Sequence, residues 1–198
     1  MADSVGSGFP TSGINIGHET YNKDTGIAYV YIGGTPALPS SWLPVWGNLS
    51  YANLINTAGL IPADTNPALI SFNASVSDLL NMTLVGGTNI VIQQKGIYLI
   101  VNGVQASKTG GGGAQQFVDM WIRKNGVDVP YSGVRQNIAT ANEIKVLVLN
   151  TVLRLEVGDI LTKYIAVSSA GVGLGLYTYT NTVGAVIPAG IFSIMKLN

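Results

Sequence analysis

The chain has 198 residues, of which 47% are hydrophobic and 10% charged, with ten basic residues balanced by ten acidic ones and no cysteine. Sparse, balanced charge leaves no electrostatic footprint for nucleic acid or an anionic membrane surface. The missing cysteines remove disulfide frameworks and thiolate chemistry. An average domain carries roughly 25% charged residues, so this deficit predicts surface that is buried against other chains.

The opening "MADSVGSGFP" lacks the basic and apolar regions of a secretory signal. Residues 1–66 are rich in Gly, Pro, Ser, Asn and Thr. Within them, "TGIAYVYIGG" (Thr25–Gly34) alternates like a short strand. Prolines at 36, 39 and 44 then argue against a regular central strand or helix. Trp42, Pro44 and Trp46 make a stiff aromatic segment, the candidate for docking on a larger assembly. The competing expectation is that the tryptophans plug their own small domain. "IPADTNP" (61–67) resembles a linker. The expected division is an N-terminal anchoring region, 1–66, and a second domain, 67–198.

From Ala68 the texture changes to β-rich runs of five to ten residues separated by turn signals. Roughly eight such strands predict an all-β sandwich or jelly roll. "VSDLLNM" (76–82) is the one stretch with a possible helical turn. Asn125-Gly126 predicts a type I′ hairpin, whose two central residues both need positive φ. In its first arm, Val118, Met120 and Ile122 fall on one face, and Phe117, Asp119, Trp121 and Arg123 on the other. In "EIKVLVLNTVLRLEVGD", Val146, Leu147, Val148 and Leu149 follow one another, so this strand is apolar on both faces and is expected to be covered on both. Residues 164–195 carry no charge. Tyr177–Thr182 and Pro188 break that stretch into pieces too short to cross a bilayer of about 30 Å, and buried strands are the expectation instead.

Three motifs in this second region carry a family resemblance: Gly96 and Tyr98 in a Gly-x-Tyr strand, Asn125-Gly126 in "RKNGVDV", and Leu155, Gly158 and Asp159 in "LRLEVGDIL". In their order and spacing, residues 68–198 resemble the globular head domain of the complement and tumour necrosis factor superfamily. That resemblance implies a jelly roll that forms homotrimers. Members without a collagen-like stalk or disulfides resemble virion proteins of tailed phages.

The chemistry-bearing candidates are few. His18 is the single histidine, beside Glu19, without a second ligand or a nearby base in sequence. Carboxylates are scattered; Asp119 and Asp128 are expected to face each other across the hairpin as a surface pair. "GGGGA" (110–114) lacks the Lys-Ser/Thr of a phosphate loop, and "GVGLG" (171–175) lies between strands rather than opening a helix. The expectation is a protein that is not an enzyme, with no cofactor and no metal. Its partners are expected to be two further copies of itself and the major capsid protein of the same virion, with no nucleic acid and no membrane.

The function expected is therefore that of a homotrimeric capsid decoration (cement) protein on a phage head, assembled in the host cytoplasm. A receptor-binding tip of a tail or head fibre is the alternative, and a carbohydrate-binding domain is the next.

Overall fold

The computed structural model describes residues 3–5, 14–22, 27–36, 42–46, 49–73, 77–111 and 115–197, with backbone alone at 3–5, 22 and 43–46. All regular structure among these residues is β. The chain divides into two units, Met1–Leu49 and Ser50–Asn198.

The first unit holds one four-stranded sheet: β1 (Asp3–Val5), β2 (Glu19–Asn22), β3 (Ile27–Tyr31) and β4 (Trp42–Trp46), in the order β1-β2-β3-β4. Pro44 lies in β4, which is an edge strand; there a missing N–H costs no ladder bond. The register slips between Ala28 and Tyr29 opposite it. The prolines thus exclude a central strand but permit this outer one.

The second unit opens with β5 (Tyr51–Asn56), β6 (Ala68–Leu69), β7 (Asp78–Leu80), β8 (Met82–Val85) and β9 (Asn89–Ile92). The longer strands β10 (Gly96–Ser107) and β11 (Phe117–Lys124) follow, then β12 (Val127–Asp128) and β13 (Val134–Asn137). After them come β14 (Lys145–Leu155), β15 (Ile160–Val167), β16 (Gly175–Leu176), β17 (Tyr179–Thr180), β18 (Val186–Ile187) and β19 (Gly190–Lys196). One sheet runs β14-β10-β19-β5-β7, with β16 on β10. The other runs β12-β11-β15-β9-β8, with β13 on β11 and β6 on β15. Successive long strands change sheet, from β9 to β10, β11, β14, β15 and β19, as the crossed connections of a jelly roll require.

The core lies between the two sheets. Alternation sends Tyr98, Ile100 and Val104 inward from β10, Val118, Met120 and Ile122 from β11, and Leu161, Ile165 and Val167 from β15. Phe192 of β19 stacks on Phe72, ring centroids 5.9 Å apart. Each such side chain contributes roughly 1.5–3 kcal/mol through the apolar surface it removes from water.

Two expectations are corrected. The domain boundary falls after Leu49, not after residue 66, because β5 pairs with β19 through the whole register from Gly190↔Asn56 to Met195↔Tyr51. The stretch 61–67 is a loop within the second unit, tied down where Leu60 bridges Leu176. The expected helical turn at 76–82 is absent from its described part, 77–82: β7 and β8 belong to opposite sheets, and Asn81, at φ 55°, turns the chain between them.

Candidate functional site

The motif residues gather in one network. Gly96 lies opposite Leu155 in the β10–β14 ladder, and Leu155 and Tyr98 are fully buried. The Tyr98 hydroxyl donates to the Gln94 carbonyl at 2.7 Å. Asn125 and Gly126 have φ of 52° and 81°, as a type I′ turn needs. The Asn125 side-chain amide donates to Asp159 Oδ1 at 2.7 Å, while its carbonyl oxygen accepts from Ile160 N at 2.8 Å. Asp159 Oδ2 accepts from Glu156 N at 2.8 Å and meets Lys124 Nζ at 2.7 Å. Desolvation pushes the Asp159 carboxyl up. The Glu156 amide, Lys124 and Asn125 together outweigh it and hold it below its ordinary value. Gly158, at φ 89°, makes the turn that presents Asp159. These residues lock two turns together and form no catalytic arrangement.

The outward face of the β14-β10-β19-β5-β7 sheet is apolar in rows. One row crosses Val152, Leu99, Met195, Tyr51 and Leu80; another crosses Val148, Gly103, Ile191 and Ile55. Between them runs a polar row of Asn150, Val101, Ser193, Asn53 and Asp78, in which Ser193 Oγ bonds Asn53 Oδ1 at 2.9 Å. Val146, Val148 and Val152 are 62%, 55% and 58% exposed. Beside them a depression of about 410 Å³ is lined by Val101, Val146, Val148, Ile187, Pro188 and Ile191. The double-sided apolar character expected of β14 is thus present, with Leu147 buried in the core and Val146 and Val148 facing outward.

The opposite sheet presents a different chemistry. Trp121 of β11 stacks on its ladder partner Tyr164 of β15, centroids 5.7 Å apart, and the Arg123 guanidinium lies 4.2 Å over the Tyr164 ring. Asp128 Oδ1 accepts from Trp121 Nε1 at 2.7 Å and from Arg123 Nε at 2.6 Å. Two residues along β11, Asp119 receives both Nε and Nη2 of Arg135 at 2.7 Å. Hydrogen bonding to these carboxylates holds Arg123 and Arg135 above the ordinary arginine range and Asp128 below the usual carboxylate value. The expected Asp119–Asp128 pair is therefore corrected: each carboxylate takes its own arginine, Arg135 from β13 and Arg123 from β11. The hairpin alternation exposed Trp121 and Arg123 to view in the sequence, but Tyr164 and Arg135 were missed because ladder pairing, not spacing, brings them here.

Lys163 links the two sheets. It points inward from β15, is fully buried, and its Nζ donates to the carbonyls of Gly103 (2.8 Å) and Ile191 (3.1 Å) on the opposite sheet. Burial pushes its amine well below the ordinary lysine value. The signal was present in the alternation Leu161, Lys163, Ile165, Val167.

In the first unit, Trp42 is 3% exposed; its Nε1 donates to the Pro36 carbonyl at 2.7 Å, and its ring packs on Tyr31 and edge-on to His18. The docking expectation for Trp42 gives way to packing within its own unit. The side chains of Pro44 and Trp46 lie outside the described residues, as do residues 112–114 of the glycine-rich loop. Among the described residues no three His, Asp or Glu side chains gather as metal ligands would, and no helix is long and apolar enough to cross a membrane.

The strand order defines the class: an all-β jelly-roll sandwich, preceded in the chain by a small β unit. No family model matches the chain. No curated protein matches it either. Among solved structures, the crystal structures of murine APRIL at pH 5.0 and at pH 8.0 are similar at 14% and 15% identity. Each match covers 76% of this chain and 100% of the other, with a TM-score of 0.49.

Proposed function

We propose that this chain is a non-enzymatic structural protein that acts as a homotrimer. The observation that carries the reading is the apolar outward face of β14, β10, β19 and β5. Exposed Val146, Val148, Val152, Ile191 and Met195 on one sheet face exceed what a chain so poor in charge can leave in water. The same face of each of three copies, turned toward a common three-fold axis, buries these apolar rows in every protomer. The polar row of Asn150, Ser193 and Asn53 fixes the register between copies by hydrogen bonding.

The setting proposed is the virion of a tailed phage, with the trimer decorating the head shell and bound to the major capsid protein. Support for this comes from the sequence resemblance and from the separate first unit, a ready attachment module. Three-fold symmetry matches the three-fold positions of a shell, and a ligand that binds only the assembled shell stabilises it by mass action. A fibre tip that meets a host receptor is the second reading, favoured by the aromatic and ionic face of β11 and β15.

Native mass spectrometry at micromolar concentration tests the oligomer, and a lone monomer peak overturns it. Co-sedimentation with undecorated capsids tests the setting: full-length protein is expected in the pellet and residues 50–198 in the supernatant.

A further inference from the structure

Four of the chain's twenty charged residues, Asp119, Arg123, Asp128 and Arg135, share one sheet face with Trp121, the only tryptophan outside the first unit. We infer that this face is a binding site for a neutral glycan, with Trp121 as the stacking platform and the Asp119–Arg135 pair as the hydroxyl-reading group.

The geometry begins with the cavity. A depression of about 300 Å³ lies between Trp121 and Arg135, with Asp119, Gly133 and Val134 in its lining; this is at the small end of ligand sites, which run from roughly 300 to 1,000 Å³. Gly133 forms part of the lining without a side chain to fill it.

Rigidity comes next. Trp121 is held at its Nε1 by Asp128, on one side by Tyr164, and by the Arg123 guanidinium 5.8 Å from its ring centroid. A ring fixed before binding loses little rotamer freedom when a ligand arrives. The C–H-bearing face of a pyranose is complementary to the electron-rich face of an indole.

Hydrogen-bonding capacity points to hydroxyls. A guanidinium has five N–H donors, of which Arg135 uses two on Asp119. A carboxylate has about four lone-pair positions, and the same two bonds occupy two of them on Asp119. Donors and acceptors therefore remain side by side, as a pair of neighbouring hydroxyls needs. Charge then selects among glycans. The face carries two arginines and two aspartates, each arginine already bonded to an aspartate, so its net charge is zero. An anionic sugar must break an ion pair to be held; a neutral one adds to both pairs. The site is on the sheet opposite the apolar rows, so the inference is independent of the oligomer proposed above.

The test is an array of neutral oligosaccharides built on glucose, galactose, mannose and N-acetylglucosamine, beside sialylated, uronate and sulfated counterparts, probed with the full chain. The best neutral glycan is then titrated by calorimetry. Binding to at least one neutral glycan is expected, weakened about tenfold or more by Trp121→Ala and by Asp119→Asn. Trp121→Phe, which keeps a ring and guards against a folding defect, is expected to fall between, and Val157→Ser in a distant turn is expected to change nothing. No signal from any neutral glycan overturns the inference. So does binding confined to anionic glycans, or neutral binding that folded Trp121→Ala and Asp119→Asn proteins retain in full.

Discussion

The two outward faces of the sandwich are built from strands of similar length with the same alternation, yet they differ in almost every side chain. On β14, β10 and β19 the outward positions are mostly valine, isoleucine, leucine and methionine, with Asn150, Ser193, Gln105 and Gly103 among them and Arg154 near the end of β14. On β11 and β15 they include tryptophan, tyrosine and phenylalanine, with arginine and aspartate already bonded to each other, beside the smaller Thr162 and Ala166. A face that is apolar at its centre, with its charges Arg154 and Asp78 on the two edge strands, loses little when another apolar surface excludes water from it. A face of paired charges loses hydration on burial and regains little, because buried ion pairs barely offset their desolvation. One sandwich therefore carries a surface suited to permanent contact and another suited to reversible, wet contact.

A charge on the apolar face breaks this contrast most severely. Val148→Asp sets three carboxylates into the proposed interface, each with a desolvation cost of several kcal/mol. The expected outcome is a folded monomer by light scattering, with a far-ultraviolet spectrum like that of the parent. The same change at Val85, on the other sheet's β8, is expected to leave the oligomer intact.

Trp42 tests whether the first unit is independent. Trp42→Ala removes a ring packed on Tyr31 and is expected to cost that unit roughly 3–5 kcal/mol. In calorimetry, the transition of residues 50–198 is expected to stay in place while an earlier one moves down.

Lys163 joins the backs of the two faces, and its burial gives stability a pH dependence of known sign. Its folded-state value is depressed by burial, so between that value and the ordinary lysine value the unfolded chain binds more protons than the native one. Stability then rises with pH across this window, with a contribution of up to about 1.4 kcal/mol per pH unit. Lys163→Met, similar in volume, is expected to abolish that contribution in denaturant titrations; an unchanged slope means that the amine is charged in the fold.

The smallest effects belong to the locked turns. A Cβ on Gly126 meets no atom within 4 Å, so Gly126→Val strains the backbone alone and is expected to cost roughly 1–3 kcal/mol in thermal unfolding. Asp159→Asn removes a charged acceptor from Lys124 and Glu156 N, and a loss of about 1.5–3 kcal/mol is expected. Asp159 contributes above its unfolded-state value, and that contribution is lost as pH falls through its depressed folded-state value.

Features confined to a few neighbouring residues were legible early. The Asn125-Gly126 turn, the inward set Val118, Met120 and Ile122, and the double-sided run Val146–Leu149 each depend on local φ/ψ or on a period of two. Features that depend on a distant partner were not. "YANLIN" (51–56) has a polar texture, and only β19, with Ser193 bonded to Asn53 across 140 positions, makes it a sheet strand. That single pairing moves the domain boundary from residue 66 to residue 49. Asp119 offered no means of choosing between Asp128 and Arg135, since the choice is made by the register of β11 with β12 and β13.

The sequence by itself determined the β class, the hairpin, the inward and outward alternation and the shortage of surface charge, because side-chain period and turn chemistry act between neighbours. Tertiary structure alone decided which sheet each strand entered, which outward face was left apolar, and which arginine met which aspartate. It also decided that Trp42 packs within its own unit and that Lys163 reaches the carbonyls of the opposite sheet. Those outcomes depend on ladder register and on the closure of long loops, and a strand's own residues specify the face it offers without specifying what will cover it.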